Sequence, residues 1–291
     1  PYQDASDSLV EARRAGDPAL EWAARLDDLR PPLIGELGSL AEAHPDNPDA
    51  ILALAHLSLD QAYADYIQDW EAFDNGTGPP PDEQGLRFTT TVALLTQFLE
   101  GFPEDPRCAV ALAWKGNLLL TNDRVEEATE AFQRLTTDFP DSQFAAYAWL
   151  RLGELAFDDA DYALAASRYQ QVLTFNDYDE REIATYKLAW SRYLLDDMEG
   201  ALTGFVSLFE TAETALREEA IMYAAIILTD GDWDLDGADD PDSGLPRIRT
   251  HLTQRSGWQG EVLERIRAVS MELGQVDLSQ DVQEYLESLP E

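Results

Sequence analysis

One stretch of the chain carries carboxylates at the spacing a hard cation needs. Asp232, Asp234 and Asp236 alternate with other residues, Gly237 follows, and Asp240 and Asp242 come shortly after. Alternating carboxylates on a curled backbone converge on one point, and a glycine at the sixth position takes the sharp turn, so the run opens like a calcium loop. The candidate ligands are Asp232, Asp234, Asp236, Asp240 and Asp242. The same residues also read as a solvated acidic loop in a chain that is acidic throughout, and both readings stand. If Ca²⁺ binds, its role is to fold the insertion, because metal binding and local folding share one free energy.

The loop departs from a full EF-hand. Counted from Asp232, the twelfth position is Ser243, where that motif needs a bidentate glutamate. The continuation through Asp239 and Asp242 is closer to the calcium loops of thrombospondin type 3 repeats and dockerins. Other reactive residues form no constellation. His44, His56 and His251 are widely separated, the single cysteine, Cys108, opens an apolar helix, and no glycine-rich phosphate loop is present. The chain therefore reads as non-enzymatic. Cys108 reads as a small buried hydrophobe, which fits either redox compartment. Asn75-Gly-Thr77 has the form of a glycosylation sequon and reads as chance.

The elements that must hold these residues show a period. Ala128-x-x-x-Phe132, Ala165-x-x-x-Tyr169 and Ala201-x-x-x-Phe205 are spaced 37 and then 36 residues apart. Each follows a small residue in a preceding apolar helix: Gly116, Gly153 and Ala189. Two helices approach closely only where one lacks bulk, and the aromatic of the second fills the space beside it. A helix–turn–helix at fixed period marks a solenoid of paired helices. The middle unit reads Trp149-x-x-Leu152-Gly153 and then Ala165-x-x-x-Tyr169, which resembles the tetratricopeptide repeat. The first unit keeps Gly116, Ala128, Phe132 and Pro140; the third keeps Leu188, Ala201 and Phe205. The resemblance implies an all-α, right-handed α-solenoid of antiparallel helix pairs that binds other proteins.

Three regions follow by repeat quality. Residues 1–108 read as degenerate helix pairs, with a weak first helix at 4–14, a pair at 18–29 and 32–43 broken by Arg30-Pro-Pro32, and a Gly/Pro-rich loop at 74–85. Residues 109–210 hold the three clear units. Residues 211–291 read as degenerate pairs, the first of them formed by 213–229 and 245–254 around the aspartate-rich insertion at 230–244.

In the tetratricopeptide family the first helix of each pair lines a concave groove. The resemblance therefore implies groove positions at Asn117 and Thr121 in the first unit. It implies Tyr147, Glu154 and Asp158 in the second, and Tyr186, Trp190 and Tyr193 in the third. Aromatics flanked by carboxylates suit a protein or peptide partner with apolar and basic residues. Trp190 is open to a second reading, as a core residue.

Charge narrows the partners further. The chain of 291 residues has 57 acidic and 20 basic residues, a net charge of −37, and Lys115 and Lys187 are its lysines. Nucleic acid is excluded as a partner, since phosphate would be repelled. Spread through most helices, the acidity reads as adaptation to salt, or else as a surface for a basic partner. The longest apolar run, Ile221–Leu228, is far short of a membrane span, so direct membrane insertion is not expected. The connector Asp138-Phe-Pro-Asp-Ser142 resembles those of Gram-negative envelope repeat proteins: the Tol–Pal coordinator, the outer-membrane assembly lipoprotein and gliding-motility proteins. That likeness implies a periplasmic or cell-envelope setting. The sequence shows no leader, and its start at Pro1 reads as that of a trimmed chain.

Overall fold

A computed structural model describes residues 18–80, 88–211, 215–252 and 258–289. Among the described residues every regular element is a helix, and no strand occurs. The chain divides into two compact units, one ending at Ala145 and one beginning at Ala146. The expected helix at 4–14 lies outside the described residues.

The first unit contains α1 (Pro18–Ala43), α2 (Pro48–Asp74), α3 (Thr89–Gly101), α4 (Cys108–Thr121) and α5 (Val125–Asp138). Successive helices pack on one another throughout: α1 on α2, α2 on α3, α3 on α4 and α4 on α5. The break expected at Arg30-Pro-Pro32 does not occur. One helix runs through Pro31 and Pro32. Proline removes a backbone donor and crowds the preceding turn. Here the packing of α1 along α2 keeps the helix continuous. The helix α2 is capped at its start by Asn47, whose Oδ1 accepts from the Asp49 and Ala50 N–H groups. The glycosylation-like triplet serves the other end: Asn75 Nδ2 donates to Glu71 O and Thr77 Oγ1 to Ala72 O, closing α2.

The second unit contains α6 (Ala145–Asp158), α7 (Tyr162–Val172), α8 (Arg181–Tyr193), α9 (Met198–Thr211), α10 (Ala215–Thr229), α11 (Leu245–His251), α12 (Gln259–Glu272) and α13 (Val276–Ser288). Here one expected pairing is replaced. α10 packs on α9 and α12, while the short α11 leans on α13. Seven residues with Pro246 near the start make α11 too short to cover the apolar face of α10. It contributes Ile248, and Leu252 just beyond it, to a core shared with Ala224, Ile227, Leu228, Val262 and Ile266.

Within each clear repeat the small residue and the aromatic meet as the spacing requires. A Cβ on Gly116 would fall 2.6 Å from the Phe132 ring, and one on Gly153 would fall 2.5 Å from the Tyr169 ring. Both contacts are closer than real atoms tolerate, so only glycine fits. The third repeat solves the problem in reverse. Ala189 carries the methyl group, and Gly204 yields, because a Cβ there would lie 2.7 Å from that of Ala189. Ala128, Ala165 and Ala201, with Phe132, Tyr169 and Phe205, are fully buried.

One turn closes every such pair. Asp123, Ala160, Asp196 and Gly274 each take a left-handed backbone, with φ of 55°, 60°, 61° and 76°. The amide after each reaches back across the turn: Arg124 to Leu119 O, Asp161 to Ala156 O, Asp197 to Arg192 O and Gln275 to Ser270 O. Gly76 does the same after α2, with Thr77 N–H on Ala72 O. These are six-to-one Schellman closures, which satisfy helix carbonyls and turn the chain back.

Candidate partner-binding groove and the acidic insertion

The groove positions of α8 gather into an aromatic cluster. Tyr186, Trp190 and Tyr193 are all half-buried and pack against the second unit's core. Trp190 meets Tyr193 edge-on at 5.6 Å and Tyr223 of α10 at 4.4 Å between ring centres. Tyr186 meets Phe205 at 5.9 Å, and its hydroxyl donates to Glu219 at 2.6 Å. Trp190 therefore has one side in the packing and one side free. Tyr223 and Glu219, which join this cluster, were not singled out from the sequence, since α10 departs from the repeat pattern.

Between α6 and α8 this face hollows into a pocket of about 400 Å³, lined by Phe157, Tyr169, Tyr186, Lys187, Trp190 and Leu194. The positions expected from α6 behave differently from one another. Glu154 is half-buried and is held by Arg151 on its own helix and by Lys187 Nζ at 2.9 Å from α8. Asp158 is exposed at the end of α6, and Tyr147 is half-buried near its start. Phe157, Lys187 and Leu194 join the site without having been singled out. They lie one residue from Asp158, Tyr186 and Tyr193, and a stripe three or four residues wide would have included them.

In the first unit the equivalent stripe runs along α4. Asn117 is half-buried, and Thr121 is exposed with its hydroxyl donating to Asn117 O. One turn earlier the stripe deepens into a cleft of about 440 Å³ between α2 and α4, lined by Leu52, His56, Leu57, Val110 and Trp114 among others. His56 stacks against Trp114 at 5.7 Å. Arg107 bridges the cleft's end, donating to Asp49 and to Asp105 at 2.5 and 2.7 Å. That pairing holds the Asp105 carboxyl below its usual range. Trp114 was missed because it sits at a position where the family carries no fixed residue.

The reactive residues outside the groove are occupied structurally. Cys108 is buried and donates to Phe102 O at 3.1 Å, and burial pushes its thiol up, away from the reactive thiolate. His251 rests on Trp233 at 5.7 Å, and His56 lies 3.7 Å from Asp60.

The aspartate-rich insertion is built around an arginine. Arg247 is 1% exposed. It donates to Asp230 O at 2.8 Å, to Asp240 at 2.5 Å and to Asp242 at 2.9 Å. Its guanidinium lies 4.0 Å above the Trp233 ring, and Trp233 in turn donates to Ile227 O. Asp242 is held below its usual carboxylate range by this cation. Thus two of the five expected metal ligands are paired with Arg247. Carboxylate oxygens of Asp232, Asp234 and Asp240 still lie within 4.8 Å of one another. Asp232 also accepts from the Gly237 and Asp236 amides, and Asp234 from the Asp236 amide, which curls the backbone around Gly237 at φ 88°. Asp236 is exposed and accepts from the Ala238 amide.

Comparison with known proteins bears on the repeats. The family model described as tetratricopeptide repeat matches residues 87–143 and 116–180. Residues 87–180 thus carry the tetratricopeptide repeat pattern. Its matched span covers α3 to α7, in which the Gly116–Phe132 and Gly153–Tyr169 contacts lie. The chain is also similar to a solved Podosopora anserina structure of nearly identical TPR-like repeats from a kinesin light chain. That likeness is 14% identity at a TM-score of 0.42, covering 78% of this chain and 98% of that one. No curated protein matches. Tetratricopeptide repeats generally mediate protein–protein binding, and no catalytic family is indicated. Among the described residues no helix is long and apolar enough to cross a membrane.

Proposed function

We propose that this chain is a non-enzymatic scaffold that holds a protein or peptide with basic residues against the aromatic face of α8. The observation that carries the reading is the Tyr186–Trp190–Tyr193 cluster, half-buried beside a pocket and flanked by Glu154, Asp158 and Glu219. Aromatic anchors next to a depression are where interface energy concentrates, and carboxylates around them favour a basic partner. The setting proposed is a bacterial cell-envelope assembly, on the strength of the Asp138–Ser142 connector style and the long repeat period.

Site-directed cross-linking tests it. A photo-reactive phenylalanine analogue at Asp158 or Tyr193 should capture one discrete protein in the source cell, and the adduct should fractionate with the envelope. The same analogue at Ser167 or Thr203, exposed on the second helices, should not. Equal adducts at all four positions, or none, overturn the groove reading; an adduct outside the envelope overturns the setting alone.

A second reading is supported by the three converging carboxylates of the insertion: that Asp232, Asp234 and Asp240, with Asp236 at the rim, bind one Ca²⁺ in a structural module of a larger surface or motility machine. Titration calorimetry with CaCl₂ decides it. Heat with the wild type that is lost in Asp234→Ala supports the site, and no heat at millimolar calcium returns the loop to a solvated insertion pinned by Arg247.

A further inference from the structure

One repeat position changes character along the chain. The residue before the small one is Lys115 in the first clear unit, Leu152 in the second and Leu188 in the third. Both leucines are buried, and Lys115 is half-buried. A lysine stem covers the apolar surface that a leucine covers, but its amine is left over. Among the described residues the Lys115 amine makes no ion pair and no hydrogen bond. That is unexpected in a chain with 57 acidic residues. Lys187, the other lysine, pairs with Glu154 at 2.9 Å. A half-buried ammonium gives up water, and here it gains no partner.

Lys115 lines an open hollow of about 790 Å³ among α3, α4 and α5. The charged groups that act on it are Glu127, Arg134, Glu100 and Arg124. Arg124 and Glu127 hold each other through two bonds of 2.7 Å. Arg134 donates to Asp138 and to Leu99 O. Glu100 is exposed near the end of α3, beyond ion-pair distance of the amine. The amine is not sealed from water, since the buried side-chain polar atoms without a partner belong to other residues. We propose that Lys115 is an acylation site, its amine taking a short acyl group from a thioester that enters this hollow. The site uses none of the groove residues and does not rest on the groove reading.

Chemistry selects acyl transfer. An amine attacks only through its lone pair, so its neutral form is the reactive one. Burial is the main cause that holds Lys115 below the usual lysine range; Arg134 and Arg124 add to it, while Glu127 and Glu100 oppose it. The lone pair attacks the thioester carbonyl carbon and the C–N bond forms. The C–S bond then breaks, and its electron pair leaves on sulfur as a thiolate. The proton shed by nitrogen passes through water to that thiolate, leaving an amide and a free thiol. Val92 and Ala93 offer the acyl chain an apolar wall, and Thr89, Thr96 and Gln97 surround it with polar groups. Glu100 and Glu127 line the same hollow and the chain carries a net charge of −37, so the fitting donor is uncharged. The amide removes a charge that had no partner. Lys187 has to leave Glu154 before it reacts, which singles out Lys115.

The test treats the full chain with S-acetyl-N-acetylcysteamine, an uncharged thioester, at mildly alkaline pH. Peptide mass spectrometry follows the initial rate of acetylation at each lysine. Lys115 should react about 3- to 10-fold faster than Lys187. In urea, where the fold is lost, the two should react alike. Lys115→Arg keeps the cation and should leave the rate at Lys187 unchanged. Chain acetylated at Lys115 alone should melt no lower than the untreated chain. Lys187 reacting as fast as Lys115 in the folded chain, or neither reacting, overturns the site. A preference that survives urea overturns it too, since local sequence and not the hollow would then set the rate. A lowered melting temperature after acetylation at Lys115 also overturns it, because the ammonium would then have a partner in the fold.

Discussion

A single methyl group decides how each helix pair closes. The first two repeats leave the space at Gly116 and Gly153, and the third leaves it at Gly204 opposite Ala189. Gly204→Ala should therefore destabilise the second unit by about 1–3 kcal/mol through overpacking. Ala189→Gly in the same molecule should restore most of that loss, because the methyl group has only changed sides. A double-mutant cycle by urea unfolding measures the coupling, which should be clearly non-additive. Ala189 in the sequence looked like a plain departure from the pattern. The compensation was hidden because it lies fifteen residues away, on the partner helix. Arg247 was equally hidden. The aspartates of the insertion could be read as ligands, yet nothing local said that a buried arginine downstream would take Asp240 and Asp242. Arg247→Met should cost about 1–3 kcal/mol, since it leaves the Asp230 carbonyl and the mostly buried Asp240 carboxylate without their donor. Urea unfolding of the second unit, followed by tryptophan fluorescence, reads that change.

At the level of elements, the turn matters more than the helix interior. The left-handed residue recurs at Asp123, Ala160 and Asp196 with the period of the repeat itself. Aspartate tolerates that conformation through local hydrogen bonding, and alanine does not. Ala160→Gly should therefore stabilise the α6–α7 pair by about 1 kcal/mol, seen as a raised urea midpoint with an unchanged slope. A fall in the midpoint would mean that the Cβ of Ala160 has a packing role. The three clear helix pairs were legible because small residue, alanine and aromatic all recur in step. The ends were less so. Two adjacent prolines argued for a break that tertiary contact with α2 overrides in α1. The pairing of α10 with α12 rather than α11 turned on a helix of seven residues, whose length no periodicity could set. The side-chain cluster on α8 was half legible. Tyr186 and Trp190 come together as their spacing requires, while Tyr169, Phe157 and Lys187 complete the pocket from positions read as core or passed over.

Across the whole molecule, charge is the dominant unbalanced term. Arginines are used efficiently: Arg107 holds Asp49 and Asp105, Arg217 holds Glu261, and Arg247 holds two aspartates. With 20 basic residues against 57 acidic ones, the carboxylates far outnumber the cations that could pair with them. Added salt acts on both populations. It weakens exposed ion pairs, each worth about 0–1 kcal/mol. It also screens repulsion among the unpaired carboxylates, over a distance that shrinks from about 30 Å at 0.01 M to about 8 Å at 0.15 M ionic strength. Because the repelling groups far outnumber the paired ones, screening of repulsion wins. The melting temperature should rise steadily as NaCl goes from about 0.01 M to about 0.5 M. Differential scanning calorimetry at fixed pH, with the reversibility of each scan checked, follows the curve directly. Potassium chloride should act like sodium chloride, since screening depends on ionic strength and not on the cation. A rise seen with calcium at low ionic strength, and absent with either monovalent salt, would instead assign the effect to the aspartates of the insertion. A flat or falling curve in all three would mean that the carboxylates are compensated where they stand, and that the acidity answers to a basic partner and not to a saline habitat.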